Sequence, residues 1–353
     1  AAGVLTSVSQ LCNLQAMDGN EVYLAHSMRP ETPVNFRDRL DHRIKIIKVS
    51  LVRQIDPYKD FLGFLEVRKI IKEIEPDIIH LHSSKAGLLG RAAVFCGLPK
   101  KPKVFYSPRG FAFLQSDVGS VKRWLYFMLE RIGSLLGGAI ITCSKSEAGE
   151  AKKLKANNIH VIENAVNIHL IPVKKIKSVK DTQLNVGTSG RVCAQKNPAL
   201  FKAIAERFLS KDKLQFIWIG GGGEDFNLGS AKNINLTGWL PRNRALTLLA
   251  ELDIYVQTSL WEGMPISVIE AMVSGIPVVV TDVVGNRDAV AHGETGFITS
   301  SVEEMIYYID LLAQDPELRL SMGQRARQVA LKRFDLGRLK AEIDHLYLCH
   351  SLE

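Results

Sequence analysis

Residues 259–282 read SLWEGMPISVIEAMVSGIPVVVTD, with two glutamates eight positions apart, Glu262 and Glu270. Two carboxylates at this spacing can mark the two ends of one ligand site, or they can be one loop charge and one helix cap. Ser267-Val268-Ile269-Glu270 is a capping-box pattern, which would employ Glu270 in local structure alone. Glu262 lies between Trp261 and Gly263 and answers to no such local rule. Gly263 leaves space for backbone to approach a ligand. The free N–H groups and positive dipole end of a helix beginning at Pro265-Ile266, just after Met264, favour a phosphate there.

A second cluster is GRVCAQKNP, from Gly190 to Pro198. Asn197 can cap a helix whose first residue is Pro198. Arg191 and Lys196 would then project at one sheet edge, a planar fork and a point charge suited to one diphosphate. A third is the run Gly220–Gly223 after an apolar strand, where Gly220 and Gly221 permit a tight turn or close ligand contact. It is neither a Walker loop nor GxGxxG. A fourth is HLHSSK: His80 and His82 share one strand face, with Lys85 in the following turn. Arg109-Gly110 ends another strand in the same way. No D-x-D, H-E-x-x-H or G-x-S-x-G pattern occurs, and no set of metal ligands is predicted.

These clusters need rigid elements to hold them. Strand-length apolar runs at 21–25, 44–49, 77–82, 103–107, 139–143 and 160–163 alternate with helical spacing, as in Phe61, Leu65, Ile70 and Ile74. The alternation predicts a mainly parallel sheet with helices on both faces. After the basic stretch around Pro172–Lys180 the pattern restarts, with strands at 184–189, 215–219, 233–236, 253–258 and 277–281. The expected architecture is α/β, two Rossmann-like doubly wound domains facing a cleft. The domains are 1–167 and 184–335, the linker is 168–183, and a last helix begins at Leu336. In such sheets ligands sit beyond the carboxyl ends of the strands, which is where the four clusters fall.

The chain has 353 residues, enough for two domains, and 46% hydrophobic and 23% charged residues, the composition of a globular protein. Five scattered cysteines give neither a zinc pattern nor a disulfide framework, and point to a reducing cytoplasm. Residues 1–180 hold 28 Lys and Arg against 16 Asp and Glu, a net +12; residues 181–353 hold 17 against 21, a net −4. A basic first half predicts an anionic partner, and an anionic membrane surface suits it. No reader motif for nucleic acid accompanies the charge, and no nucleic-acid partner is expected. The stretch Ser120–Gly133, with Lys122, Arg123 and Arg131 among Trp124, Leu125, Tyr126, Phe127, Met128 and Leu129, reads either as a packed helix or as an interfacial membrane helix.

Taken in order, these motifs resemble the family 4 glycosyltransferases, retaining enzymes of the GT-B fold, over almost the whole chain. Glu262-x7-Glu270 within EGMPISVIEAMVSGIPVV is similar to the family's E-x7-E signature. Gly190-Arg191 with Lys196-Asn197 resembles its diphosphate-binding stretch, and Asn164-Ala165-Val166-Asn167 the segment where one domain hands over to the next. The resemblance implies that Glu270 holds the ribose hydroxyls of a nucleotide, Arg191 and Lys196 its diphosphate, and Glu262 the donor sugar. Gly263, Met264, Pro265 and Ile266 would line the sugar and phosphates, with Gly220 and Gly221 nearby. Glu262, Arg191 and Lys196 would carry catalysis without metal or other cofactor, the nucleotide sugar, a UDP-sugar, being a co-substrate.

The resemblance also implies that the helix at 336–351 packs back on the first domain. The family's first strand and glycine-rich loop would precede Ala1-Ala2-Gly3, which leaves Gly3 near the cleft. Arg109 stands where many members have a histidine; arginine cannot act as a base there but can hold phosphate. HLHSSKAGLLGR, His80–Arg91, resembles bacterial polysaccharide and O-antigen members. That implies an undecaprenyl-diphosphate-linked glycan acceptor near Gly3, His82, Lys85 and Arg109, on the cytoplasmic face of the inner membrane. The competing readings are a sugar-nucleotide epimerase or another GT-B enzyme, and a non-catalytic nucleotide-sugar or lipid-binding module.

Overall fold

The computed structural model describes residues 2–28, 32, 36–52, 54–98, 100–175, 183–211, 213–222, 228 and 232–349. Residues 176–182 of the expected linker, Gly223 of the glycine run and the expected helix end at 350–351 lie outside the described residues. The chain divides into two compact units: Ala1–Leu114, Val118–Ile162 and Lys340–Glu353 form one, Gln115–Asp117 and Glu163–Leu339 the other.

In the first unit the elements run α1 (Ala2–Met17), β1 (Tyr23–His26), β2 (Lys45–Lys48), α2 (Pro57–Ile74), β3 (Ile78–His82), α3 (Ser84–Phe95), β4 (Lys103–Ser107), α4 (Ser120–Leu135), β5 (Ala139–Thr142), α5 (Lys145–Lys153) and β6 (Ile159–Val161). The start of α2 follows from Asp56, whose side chain accepts from Lys59 N, and from Pro57 at the first helical position. Its end at Glu75, in a left-handed conformation, precedes Pro76, which cannot continue a helix. The strands are parallel, as expected, but they form two sheets rather than one: β1-β2, and β3-β4-β5-β6. β1 and β3 are not paired, so two apolar clusters result. Val8, Cys12, Ala16, Val22, Leu24 and Ile44 pack α1 on the small sheet. Leu81, Tyr106, Phe111, Ile140, Ala151 and Leu154 fill the larger one.

The second unit runs β7 (Leu184–Ser189), α6 (Pro198–Arg207), β8 (Leu214–Ile219), β9 (Ile234–Leu236), α7 (Arg242–Ala250), β10 (Ile254–Gln257), α8 (Ile266–Ser274), β11 (Val278–Thr281), α9 (Asn286–Ala289), β12 (Gly296–Thr299), α10 (Val302–Gln314) and α11 (Pro316–Arg333). Helix α12 (Leu336–Cys349) follows, and its residues from Lys340 onward belong to the first unit. Strand β12 had no counterpart in the sequence reading. The six-stranded parallel sheet has the order β12-β11-β10-β7-β8-β9. Chain direction across this sheet reverses between β7 and β10, and at such a switch point a crevice opens at the strand ends. Phe201 of α6 meets Phe216 and Trp218 of β8 edge to face, at 5.8 and 5.1 Å between ring centroids. Each such pair is worth about 0.5–1.5 kcal/mol beyond its buried area. That packing anchors the sheet edge from which the loops after β7 and β10 project.

Candidate active site

The loops leaving β7 and β10 meet at this switch point. Asn197 caps α6, accepting from Leu200 N at 3.3 Å, and Pro198 begins the helix. The cap pins the end of the loop that carries Arg191, Gln195 and Lys196. From the other loop comes Glu262, buried at 7% exposure. Lys196 Nζ donates to Glu262 Oε1 at 2.7 Å; Ser259 Oγ and Gln257 Nε2 reach the same oxygen at 2.8 and 3.1 Å. Gln195 Nε2 approaches Oε2 at 3.4 Å. Burial alone would pull the Lys196 ammonium down, but the Glu262 carboxylate outweighs it and holds the pKa above the ordinary lysine value. Arg191 is half-buried at the start of the same loop.

Around this pair the backbone runs at contact distance. Gly190 and Gly220 have φ of 149° and 141°, and a Cβ on Gly220 would fall 2.1 Å from the Gly190 carbonyl oxygen. Glycine is therefore required at Gly220 by proximity as well as by φ. Gly221 and Gly263 are buried, as are Met264 and Pro265, while Ile266 opens α8. Asn164 Nδ2 donates to the Met264 carbonyl at 2.7 Å and fixes the loop from behind. A cavity of about 390 Å³ adjoins it, lined among others by Thr258, Ser259, Thr281, Thr299 and Ser301.

Glu270 is buried at 2% exposure and forms an ion pair with Arg242, at the start of α7. The capping-box expectation for Ser267–Glu270 fails. Helix α8 begins two residues earlier than that box requires, at Ile266 rather than Val268; its N-cap is Pro265, and no side chain caps it. Glu270 is thus one turn inside the helix, too far along to reach the cap, and it faces α7 instead. For Arg242 too, burial would lower the pKa, yet the Glu270 charge raises it.

The expected acceptor residues lie in the first unit. His80 and His82 stack on one face of β3 with ring centroids 4.1 Å apart. His80 is fully engaged, Nδ1 with Tyr347 Oη at 2.7 Å and Nε2 with Ser107 Oγ at 2.8 Å. Burial, with the Arg109 charge behind it, pushes His80 down to about 3. The same causes, plus His80 itself, hold His82 well below the ordinary range, and its Nδ1 is buried without a hydrogen-bond partner. Arg109 follows β4 in a left-handed conformation, φ 58°. Beside it the buried Glu147 accepts from Gly110 N at 2.6 Å and Cys143 N at 2.8 Å, tying the ends of β4 and β5 together. Burial raises the Glu147 pKa despite these bonds. Lys85 pairs with Asp60 and donates to the Gln54 carbonyl, so it is bound to α2 and its approach. Gly3 is exposed in the first turn of α1, with open space around its Cβ position.

Sequence reasoning missed Gln195, Gln257, Ser259, Arg242, Glu147 and Tyr347. Two carried a signal. Gln257 is polar at the end of a wholly buried strand, and Ser144-Lys145-Ser146-Glu147 is a helix-start pattern in which Ser144 does accept from Glu147 N. Nothing local marks Arg242 or Tyr347.

Two family models match the chain: Glycosyltransferase Family 4 over residues 1–170, and Glycosyl transferases group 1 over residues 172–329. The chain is 30% identical over 343 residues to the UDP-Gal:alpha-D-GlcNAc-diphosphoundecaprenol alpha-1,3-galactosyltransferase of Escherichia coli, covering 88% of this chain and 85% of that one. Among solved structures it resembles the sucrose-phosphate synthase of Thermosynechococcus elongatus, with a TM-score of 0.81 at 17% identity over 98% of this chain and 92% of that one. It also resembles Anabaena HepE in complex with UDP and glucose, with a TM-score of 0.75 at 18% identity over 98% and 95%. At these identities the two structures establish the GT-B fold, and the sequence relative establishes more: this chain belongs to glycosyltransferase family 4.

Proposed function

We propose that the chain transfers a hexosyl or N-acetylhexosaminyl group, with retention, from a UDP-sugar to a lipid-diphosphate-linked glycan in bacterial surface polysaccharide synthesis. The observation that carries the reading is the Lys196–Glu262 pair at the switch point, with Arg191 on the same loop and Glu270 one turn into α8. Arg191, Lys196 and the start of α8 supply positive potential where a diphosphate would lie. Glu262 and Glu270 supply acceptors for sugar and ribose hydroxyls. The E. coli relative, a galactosyltransferase with a UDP-linked donor and a diphosphoundecaprenol-linked acceptor, supports both the donor and the acceptor class. HepE, with UDP and glucose bound, supports the same donor class.

In this reading the bond between the anomeric carbon and the diphosphate oxygen breaks, and the leaving UDP takes the electron pair. Arg191 and Lys196 stabilise its charge, which makes a divalent metal dispensable. The acceptor hydroxyl attacks the same face, and its proton passes to the leaving phosphate. Such an acceptor places the enzyme at the cytoplasmic face of the inner membrane, held there by the basic first unit.

A panel of nucleotide sugars scored by thermal shift and donor hydrolysis tests the reading, in the wild type, Glu270→Ala and Arg191→Ala. A UDP-sugar should stabilise the wild type and neither variant. No stabilisation by any nucleotide sugar would overturn it.

A further inference from the structure

Helix α4 keeps five large apolar side chains in solvent: Val121 at 80% exposure, Trp124 at 62%, Leu135 at 73%, and Leu125 and Ile132. At about 3.6 residues per turn these positions fall in one stripe, opposite the face that buries Glu130 and Gly133. The packed-helix reading of Ser120–Gly133 is therefore half right: one side packs, and the other has no partner among the described residues. Lys122 and Arg131 flank the stripe on its two sides, while Arg123, also exposed, lies on the far side of the first turn. The helix has a single carboxylate, Glu130, which is buried and accepts from Tyr106 Oη at 2.8 Å. Its solvent side is thus apolar and cationic, with no negative charge of its own.

Helix α2 carries a second apolar stripe, though not a purely cationic one, since exposed Lys69 pairs with exposed Glu73 at 3.7 Å. Tyr58, Phe61, Leu62 and Leu65 are exposed in one stripe, opposite the buried Gly63 and Ile71, and the stripe runs on into Lys69 and Lys72. Both helices pack against α3, so they belong to one helical layer of the first unit. An apolar surface of this kind marks an interaction site. The flanking charges select its occupant. A second copy of the chain would bring Lys122 and Arg131 against their own like, whereas anionic headgroups would meet them with opposite charge. Indole and aliphatic side chains enter the headgroup–acyl boundary, while lysine and arginine stems reach back to the phosphates. Among the described residues no helix is long and apolar enough to cross a membrane, so contact would be along the surface.

We infer that the exposed face of α4, continued by α2, is the surface by which the protein docks on an anionic lipid bilayer. The inference rests on the membrane reading above and assigns it to particular residues. The test is flotation of the full chain with vesicles of phosphatidylethanolamine and phosphatidylglycerol, against pure phosphatidylcholine. Wild type should bind the anionic vesicles, and binding should weaken with salt. Val121→Ser/Trp124→Ser should bind at least about tenfold more weakly with an unchanged thermal midpoint. Lys122→Glu/Arg131→Glu should lose both the preference for phosphatidylglycerol and the salt dependence. Binding of all three proteins alike would overturn the assigned face while leaving membrane association intact. A dimer that Val121→Ser/Trp124→Ser dissolves, with no vesicle binding by wild type, would overturn the lipid partner as well. Transfer to a short water-soluble acceptor should be unchanged in Val121→Ser/Trp124→Ser. Its absence in wild type would count against the transferase reading alone.

Discussion

Lys196 Nζ lies 2.7 Å from Glu262 Oε1, joining the loop after β7 to the loop after β10. The two side chains are largely shielded from water, and each is the other's counter-charge. Removing one leaves the other charge stranded. Lys196→Ala and Glu262→Gln are each expected to lower thermal stability by about 1–3 kcal/mol. The double variant should lose less than the sum, a coupling that a double-mutant cycle of unfolding measurements reads directly. Donor-dependent turnover should fall roughly a hundredfold or more in Lys196→Ala.

Arg242 and Glu270 form the parallel pair between α7 and α8, but Arg242 is more exposed, with 38% of its side chain in solvent against 2% for Glu270. Arg242→Ala should therefore cost about 1–3 kcal/mol, and Arg242→Lys distinctly less. Chemical denaturation of the three proteins checks the order. A result in which Arg242→Ala matches wild type would mean that Glu270 finds other donors.

Acid should loosen the first unit. His80 is held down to about 3 by burial, and His82 is displaced in the same direction. Between that value and the ordinary histidine pKa near 6.5, the unfolded chain binds protons that the folded chain refuses. Stability is then full above about 6.5 and falls as pH drops toward 3. Glu147, with a raised pKa, acts in the opposite sense in its own range. Thermal midpoints measured across this window should decline with acidity, and more shallowly in His80→Gln, which retains hydrogen-bonding atoms for Tyr347 and Ser107.

Gly285 has a φ of 83°, and a Cβ there would lie 2.2 Å from the Gly263 carbonyl oxygen and 2.9 Å from Met264 N. Both neighbours are backbone and cannot swing aside. Gly285→Ala should displace the loop that carries Glu262, raising the donor KM along with a loss of about 1–3 kcal/mol. Gly293 is the control: its φ is 78° but nothing lies within 4 Å, so Gly293→Ala should cost only about 1 kcal/mol and leave KM alone.

The elements were legible in the sequence wherever burial imposed a pattern. The runs at 103–107 and 184–189 became β4 and β7 without change of bounds, and Asn197-Pro198 marked the start of α6 correctly. Val278–Thr281, buried but for its last residue, was equally plain. Gly296–Thr299 escaped because glycine opens it and threonine closes it, leaving Phe297 and Ile298 as its only large apolar residues. The division of the first unit into two sheets was not legible, because pairing between strands is a long-range choice that periodicity does not record. Among site residues, Glu262 stood out because no local rule explained it. Its supporting ring of Gln195, Gln257 and Ser259 did not, since each is unremarkable until the fold brings it near. Glu270 invited a local explanation that the true start of α8 removed.

The four bonds on Glu262 have one further consequence. A long acidic side chain free in solvent must give up rotational freedom when it grips a ligand, at about 0.5–1.5 kcal/mol per side chain. Glu262 has already lost that freedom on folding, pinned on Oε1 by Lys196, Ser259 and Gln257 and more loosely on Oε2 by Gln195. Its entropy is spent before anything binds, so in the role proposed above the carboxylate would meet an incoming hydroxyl as a fixed surface, with Oε2 the less committed oxygen.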